Sequence, residues 1–214
     1  MGYPRRMNAE SPNESPKSIS REDLNNLPVR RYEGPIHFVD TPALLHAARI
    51  DILGERAVGF DTETRPAFSK GESYLPSIVQ VATAGGVHIF PLRYSDTHGL
   101  LGEMLSAQNI AKIGVALAYD LRTLKQVFAF HERHIVDLGI IAKRHGHEQT
   151  GVRNLAGLLM GYRIPKGAKT TNWSAPHLTP AQIAYAATDA WVCRELYLKF
   201  ETTGMITGTH GPAG

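Results

Sequence analysis

The segment Val58-Gly59-Phe60-Asp61-Thr62-Glu63 constrains this chain more than any other, because an apolar run stops abruptly at two acids. Its β-branched and aromatic residues read as a buried strand. Side chains alternate along a strand, so Asp61 and Glu63 share one face while Thr62 points to the other. Two neighbouring carboxylates repel each other at neutral pH, and a core does not hold them uncompensated. Hard divalent cations such as Mg²⁺ and Mn²⁺, which take oxygen ligands, are the natural compensation. The structural alternative is that Asp61 caps a turn and Glu63 is merely solvated.

The rest of the chain narrows the class of function. Its 214 residues suit one domain with a full hydrophobic core and tails. A formal charge of +3 and a pI near 9.0 permit a nucleic-acid partner without demanding one. Cys193 is the single cysteine, which excludes an intrachain disulfide and a cysteine-based zinc cluster. It reads as a small packed residue, and a reducing cytoplasm is the expected location. No apolar run approaches membrane-spanning length, so no membrane association is expected. The N-terminus lacks the apolar core of a secretory signal, and Arg6 stands where a myristoylation signal takes Ser or Thr. Neither a G-x-x-x-x-G-K-[ST] phosphate loop nor a G-x-S-x-G elbow is present, so no nucleotide cofactor or serine-hydrolase chemistry is expected. His145-Gly146-His147 has a metal-compatible spacing but no third ligand nearby.

Punctuation divides the chain into three parts. Residues 1–30, a polar tract broken by Pro4, Pro12, Pro16 and Pro28, read as a disordered tail. Residues 31–203 read as one α/β domain with a mixed sheet, and 204–214 as a flexible tail. Strands are expected at 36–39, 58–63, 77–82, 87–90 and 111–116, with Gly85-Gly86 making a hairpin turn between the third and fourth. Thr41-Pro42 predicts a capped helix start. Further helices are expected near 99–105, 121–128, 137–145 and 152–160, with Asp137 as a cap. The last helix has the clearest start: Thr179-Pro180-Ala181-Gln182 is a capping-box pattern, its run reaches about 201, and Gly204 stops it.

Two further acids resemble the first pair in kind. Asp120 follows Ile113-Gly114-Val115-Ala116-Leu117-Ala118-Tyr119, where a strand hands over to a helix; capping that helix is the structural alternative. Asp189 lies inside the last helix among Ala184, Ala186, Ala187 and Ala190, and Tyr185, one turn earlier, shares its face. A Tyr–Asp hydrogen bond that satisfies two polar groups is the alternative there.

In combination, a D-x-E ending a strand, an Asp opening a helix and Tyr-x-x-x-Asp in a capped terminal helix resemble the DEDDy exonucleases. These are the ribonuclease D-like members of the DnaQ/ribonuclease H-like superfamily. Ser77-Ile78-Val79-Gln80-Val81 looks like the family's second strand. Asn172-Trp173-Ser174, Leu178-Thr179 and Tyr185-Ala186-Ala187-Thr188-Asp189 look like its third motif region. Ile113-Gly114-Val115 is similar to the exonuclease domain of the Werner-syndrome helicase, more than to ribonuclease D. The sister DEDDh group has a histidine where this chain has Ala184.

The resemblance implies a ribonuclease H-like mixed sheet flanked by helices in a single, free-standing domain. It also implies a 3′–5′ exonuclease acting on single-stranded or 3′-ended DNA or RNA with two divalent ions, Mg²⁺ or Mn²⁺. Asp61, Glu63, Asp120 and Asp189 are the implied ligands, with Asp61 bridging and Glu63 also holding the terminal 3′-hydroxyl. Tyr185 would position the attacking water, and a nucleoside 5′-monophosphate would leave. Thr62, Thr64, Phe68, Gln80, Lys166 and Lys169 are the expected nucleic-acid contacts, Phe68 as a wedge against the terminal base. No acid occurs from 149 through 188, while Arg153, Arg163, Lys166 and Lys169 do, so this basic stretch suits phosphates. Ordinary solvated cations are the alternative, and Trp173 reads as a core anchor before a base-stacking platform. RNA or DNA preference and oligomeric state stay open.

Overall fold

The computed structural model of the protein describes residues 16–67, 69, 71–166 and 171–206. Six strands form one mixed sheet in the order β1-β4-β3-β2-β5-β6. These are β1 (Ile36–Phe38), β2 (Ala57–Glu63), β3 (Ile78–Ala82), β4 (Val87–Pro91), β5 (Ala111–Gly114) and β6 (Ile135–Asp137). β3 runs antiparallel to both β2 and β4, and the other pairings are parallel. The helices are α1 (Arg21–Asn26), α2 (Pro42–Leu53), α3 (His98–Ser106), α4 (Ala118–Leu124), α5 (Leu138–Arg144), α6 (Val152–Met160) and α7 (Pro180–Thr202). The mixed α/β sheet flanked by helices is as the sequence implied.

Each face of the sheet buries its own core. On one side Val58, Phe60, Val79, Val81 and Phe90 meet Ile52 of α2 and Leu101, Met104 and Leu105 of α3. On the other, Ile78, Ala82 and Ile89 meet Ala186, Ala187 and Ala190 of α7, with Trp173 alongside. The strands therefore read as continuous apolar runs, the pattern of a sheet covered on both faces.

α7 starts where its capping box says it should. The Thr179 hydroxyl accepts from the Gln182 amide, the Gln182 side chain answers the Thr179 backbone, and Pro180 occupies the first turn. The helix then lies against β2, β3, β4 and β5. Its alanines allow a close approach, and Gly59 completes it: a Cβ at Gly59 would sit 2.0 Å from the Ala190 carbonyl oxygen. Only a residue without a side chain lets helix and strand backbones meet there.

Three parts of the sequence reading change. Within the stretch expected as a tail over 1–30, the described residues 16–30 pack on the fold: α1 is capped by Ser20 and buries Leu24 against α6. Ile19, Leu24 and Leu27 are too few among Pro, Asn and Arg to stand out in composition, yet all three converge on Gly157. β6 and its three residues are too short to show an alternation, and they form the sheet edge beside β5. Beyond α7, Met205 and Ile206 pack onto the core as partly buried residues rather than belonging to a free tail.

Because Gly59 sets the seating of α7, Gly59→Ala is expected to cost about 1–3 kcal/mol of stability through overpacking. Urea denaturation of the variant reads this directly; an unchanged midpoint would show that the contact is not limiting.

Candidate active site

β2 delivers Asp61 and Glu63 to one face at its C-terminal end, and α7 brings Asp189 to meet them. The carboxylate oxygens of Asp61, Glu63 and Asp189 lie within 4.8 Å of one another. Glu63 and Asp189 are buried, at 8 % and 7 % exposure. Burial first, and then the charges of Asp189, Glu63 and Asp120, hold the Asp61 carboxyl well above the usual carboxylate range. Such a cluster is made of oxygen donors alone, and a hard divalent cation is the group that relieves its repulsion. The residues present therefore fit a divalent metal.

Tyr185 sits one helical turn before Asp189 and hydrogen-bonds its carboxylate. Burial, followed by the Asp189 charge, raises the phenol well above its ordinary value near 10, so it stays protonated at neutral pH. Its ring leans on Trp173, with centroids 6.1 Å apart. Trp173 itself is 1 % exposed, which makes it a core anchor behind Tyr185 rather than a surface for a base.

Asp120, in the first turn of α4, lines the same cavity of about 700 Å³ as the other three acids, Tyr185, Arg153 and Lys166. It stands outside the tight trio, and its Oδ1 accepts from the Thr62 hydroxyl at 2.5 Å. Burial raises the Asp120 carboxyl, and the Thr62 bond partly opposes that shift. The turn into α4 is also held from behind. Ala116 adopts a positive φ of 59°, and the next amide, Leu117 N, donates to Asp137 Oδ2 at 3.2 Å. The other Asp137 oxygen accepts from Gly139 N and Ile140 N, the helix cap expected of it. Asp137 thus ties α5 to the turn that aims Asp120, a role its sequence position does not reveal.

Two of the expected nucleic-acid contacts are buried. Thr62 is 8 % exposed and lines the carboxylate cavity with its hydroxyl donated to Asp120. Gln80, the β3 partner of Asp61, is fully buried, and strand alternation places it on the face that α7 covers. Neither of its amide atoms has a hydrogen-bond partner among the described residues. Thr64 leaves β2 half-buried beside the acids, and Lys166 is exposed on the cavity wall. Phe68 and Lys169 lie outside the described residues.

A family model described as 3′-5′ exonuclease matches residues 36–204. This chain belongs to the 3′-5′ exonuclease family. Among its relatives, ribonuclease D of Haemophilus influenzae is 29 % identical over 176 residues, 79 % of this chain and 43 % of that protein. The exonuclease-family chain therefore spans under half the length of that relative. Among solved structures, the Nibbler EXO domain of Aedes aegypti superposes with a TM-score of 0.73 at 21 % identity, covering 82 % of this chain and 92 % of that one. Ribonuclease D of Trypanosoma brucei, in a complex with RNA U12, gives 0.69 at 18 % identity over 84 % of this chain and 65 % of that one. Both likenesses confirm the fold of this exonuclease-family domain. No helix among the described residues is long and apolar enough to cross a membrane.

The raised Asp61 carboxyl has a consequence for stability. Its folded pKa lies above the unfolded value near 3.8, so the folded state binds the extra proton and the charged form is disfavoured there. The cost is present at neutral pH and disappears below the unfolded pKa. Asp61→Asn is therefore expected to raise the thermal midpoint of the metal-free protein by a few degrees at pH near 7 and to give no gain near pH 3. Scanning calorimetry in chelator at the two pH values checks it.

Proposed function

We propose that this chain is a divalent-metal-dependent 3′–5′ exonuclease that hydrolyses the terminal phosphodiester of DNA or RNA and releases nucleoside 5′-monophosphates. The observation that carries this reading is convergence: acids from β2, α4 and α7 line one cavity with a protonated tyrosine. Family membership supports the reaction class, and the RNA held by the trypanosomal relative supports a nucleic-acid strand as ligand.

Asp61, Glu63, Asp120 and Asp189 would hold two Mg²⁺ or Mn²⁺ ions. When bound, such ions neutralise phosphate charge and make water a competent nucleophile near neutral pH. The chain's own residues do the rest. The Tyr185 phenol is too basic to give up its proton and act as a general base; it orients the attacking water by hydrogen bonding while Asp189 fixes its hydroxyl. Glu63 offers a carboxylate oxygen to the terminal 3′-hydroxyl. Arg153 and Lys166, on the cavity wall, draw the anionic strand toward acids that would otherwise repel it.

The test is release of mononucleotide from a 3′-labelled oligonucleotide with Mn²⁺ or Mg²⁺ present. Wild-type protein is expected to release the label, and Asp61→Ala to lower the rate at least about 100-fold. A wild-type protein that binds the oligonucleotide but frees no mononucleotide with either metal overturns the reading. Tyr185→Phe is expected to lower kcat about tenfold or more without altering the shape of the pH profile between about pH 7 and 9, since the phenol does not ionise in that range. An alkaline limb that vanishes in the variant would contradict the orienting role.

A further inference from the structure

The family match begins at residue 36, yet the chain ahead of it is laid down against the catalytic helix. Val29 bridges Arg163, with Arg30 N donating to the Arg163 carbonyl and Arg163 N to that of Pro28, both at 2.9 Å. The Arg163 Nε donates to Leu27 O at 3.1 Å. Farther along, Tyr32 N donates to the hydroxyl of Thr188, the residue next to Asp189, at 3.0 Å. The arm is therefore pinned on both sides of Arg31. Upstream, Gly157 provides the notch for α1: a Cβ there would lie 2.5 Å from Leu24 Cδ1.

Arg31 itself is exposed and lines a small cavity of about 180 Å³ with Lys166, Tyr185 and the short side chains of Ala181 and Ala184. No acid lines it among the described residues. Lys166, Pro165 and Tyr185 also line the carboxylate cavity, so the two spaces share a wall. At this size the space falls below the roughly 300–1,000 Å³ of a small-molecule pocket and suits an anion-sized group. Arg30, held over the Tyr162 ring at 5.3 Å, adds to the positive field nearby.

We infer that the N-terminal arm supplies a phosphate subsite: Arg31, with Lys166, grips a backbone phosphate of the nucleic-acid strand adjoining the one at the acids. This rests on the exonuclease reading and deepens it. The chemistry requires some such device, because a polyanion approaching four acids gains only where cations stand beside the cluster rather than within it. A guanidinium is suited to the task, since its planar fork matches phosphate oxygens. The family's acids bring the scissile bond to the metal site, and the arm fixes the next stretch of backbone.

Fluorescence anisotropy of a labelled single-stranded 12-mer with the metal-free 214-residue chain at several salt concentrations tests this without any hydrolysis. Arg31→Ala is expected to weaken binding about three- to tenfold and to lower the slope of log affinity against log salt by about 0.7. Arg31→Lys is expected to restore part of both, and Arg49→Ala, paired with Glu103 on the far side of the sheet, to change neither. In turnover with metal, Arg31→Ala should raise KM several-fold with a smaller change in kcat. Unchanged affinity and slope for Arg31→Ala overturn the subsite, as does a wild-type protein that does not bind the 12-mer. Because binding is read apart from cutting, a protein that binds through Arg31 yet hydrolyses nothing refutes the exonuclease reading alone.

Discussion

The contact on which this structure turns is the close meeting of two backbones, β2 at Gly59 and α7 at Ala190. Two residues beyond Gly59, β2 presents Asp61; one residue before Ala190, α7 presents Asp189. The spacing of those carboxylates is thus set by how deeply the helix sits on the strand. A capping box fixes where α7 begins and alanines fix how near it can come, so the geometry of the acids follows from packing made elsewhere. A helix displaced outward by a side chain at residue 59 would part Asp189 and Tyr185 from Asp61 together.

That packing brings like charges together at the wall of a cavity, where burial weakens their screening by water. The cost shows in Asp61, whose carboxyl is pushed up by burial and by its three acidic neighbours. Around the trio, the polar groups are arranged to aim rather than neutralise. Thr62 holds Asp120, Asp137 holds the turn before it, and Asp189 holds the Tyr185 hydroxyl. Cations lie one layer out, on Arg153, Lys166 and Arg31. On the proposed reading this layering would leave the centre for divalent metal and the rim for phosphate, and the same positive charge placed at the centre would compete with the metal.

Much of the fold was legible because its strongest signals are local. The apolar run that stops at Asp61, the proline after Thr41, the hairpin glycines and the Thr179–Gln182 box each act within a few residues. Tyr185 and Asp189 could be paired from helical spacing alone. What could not be read depends on partners distant in the chain. Strand alternation puts Thr62 opposite Asp61 but does not reveal that Asp120 waits on that side. Gln80 looks like a polar residue on a strand until α7 is laid over it. The arm from residue 16 buries only a few apolar side chains, and it becomes visible when Gly157 and Arg163, more than a hundred residues away, come to meet it.

The most direct measurement is a crystal structure of the wild-type protein grown with Mn²⁺ and recorded with anomalous scattering. Two manganese peaks about 3.5–4 Å apart are expected among Asp61, Glu63, Asp120 and Asp189, with Asp120 turned from Thr62 toward one of them. Manganese bound elsewhere, or a carboxylate cluster that stays empty at saturating metal, would contradict the claim that these acids are gathered to hold cations.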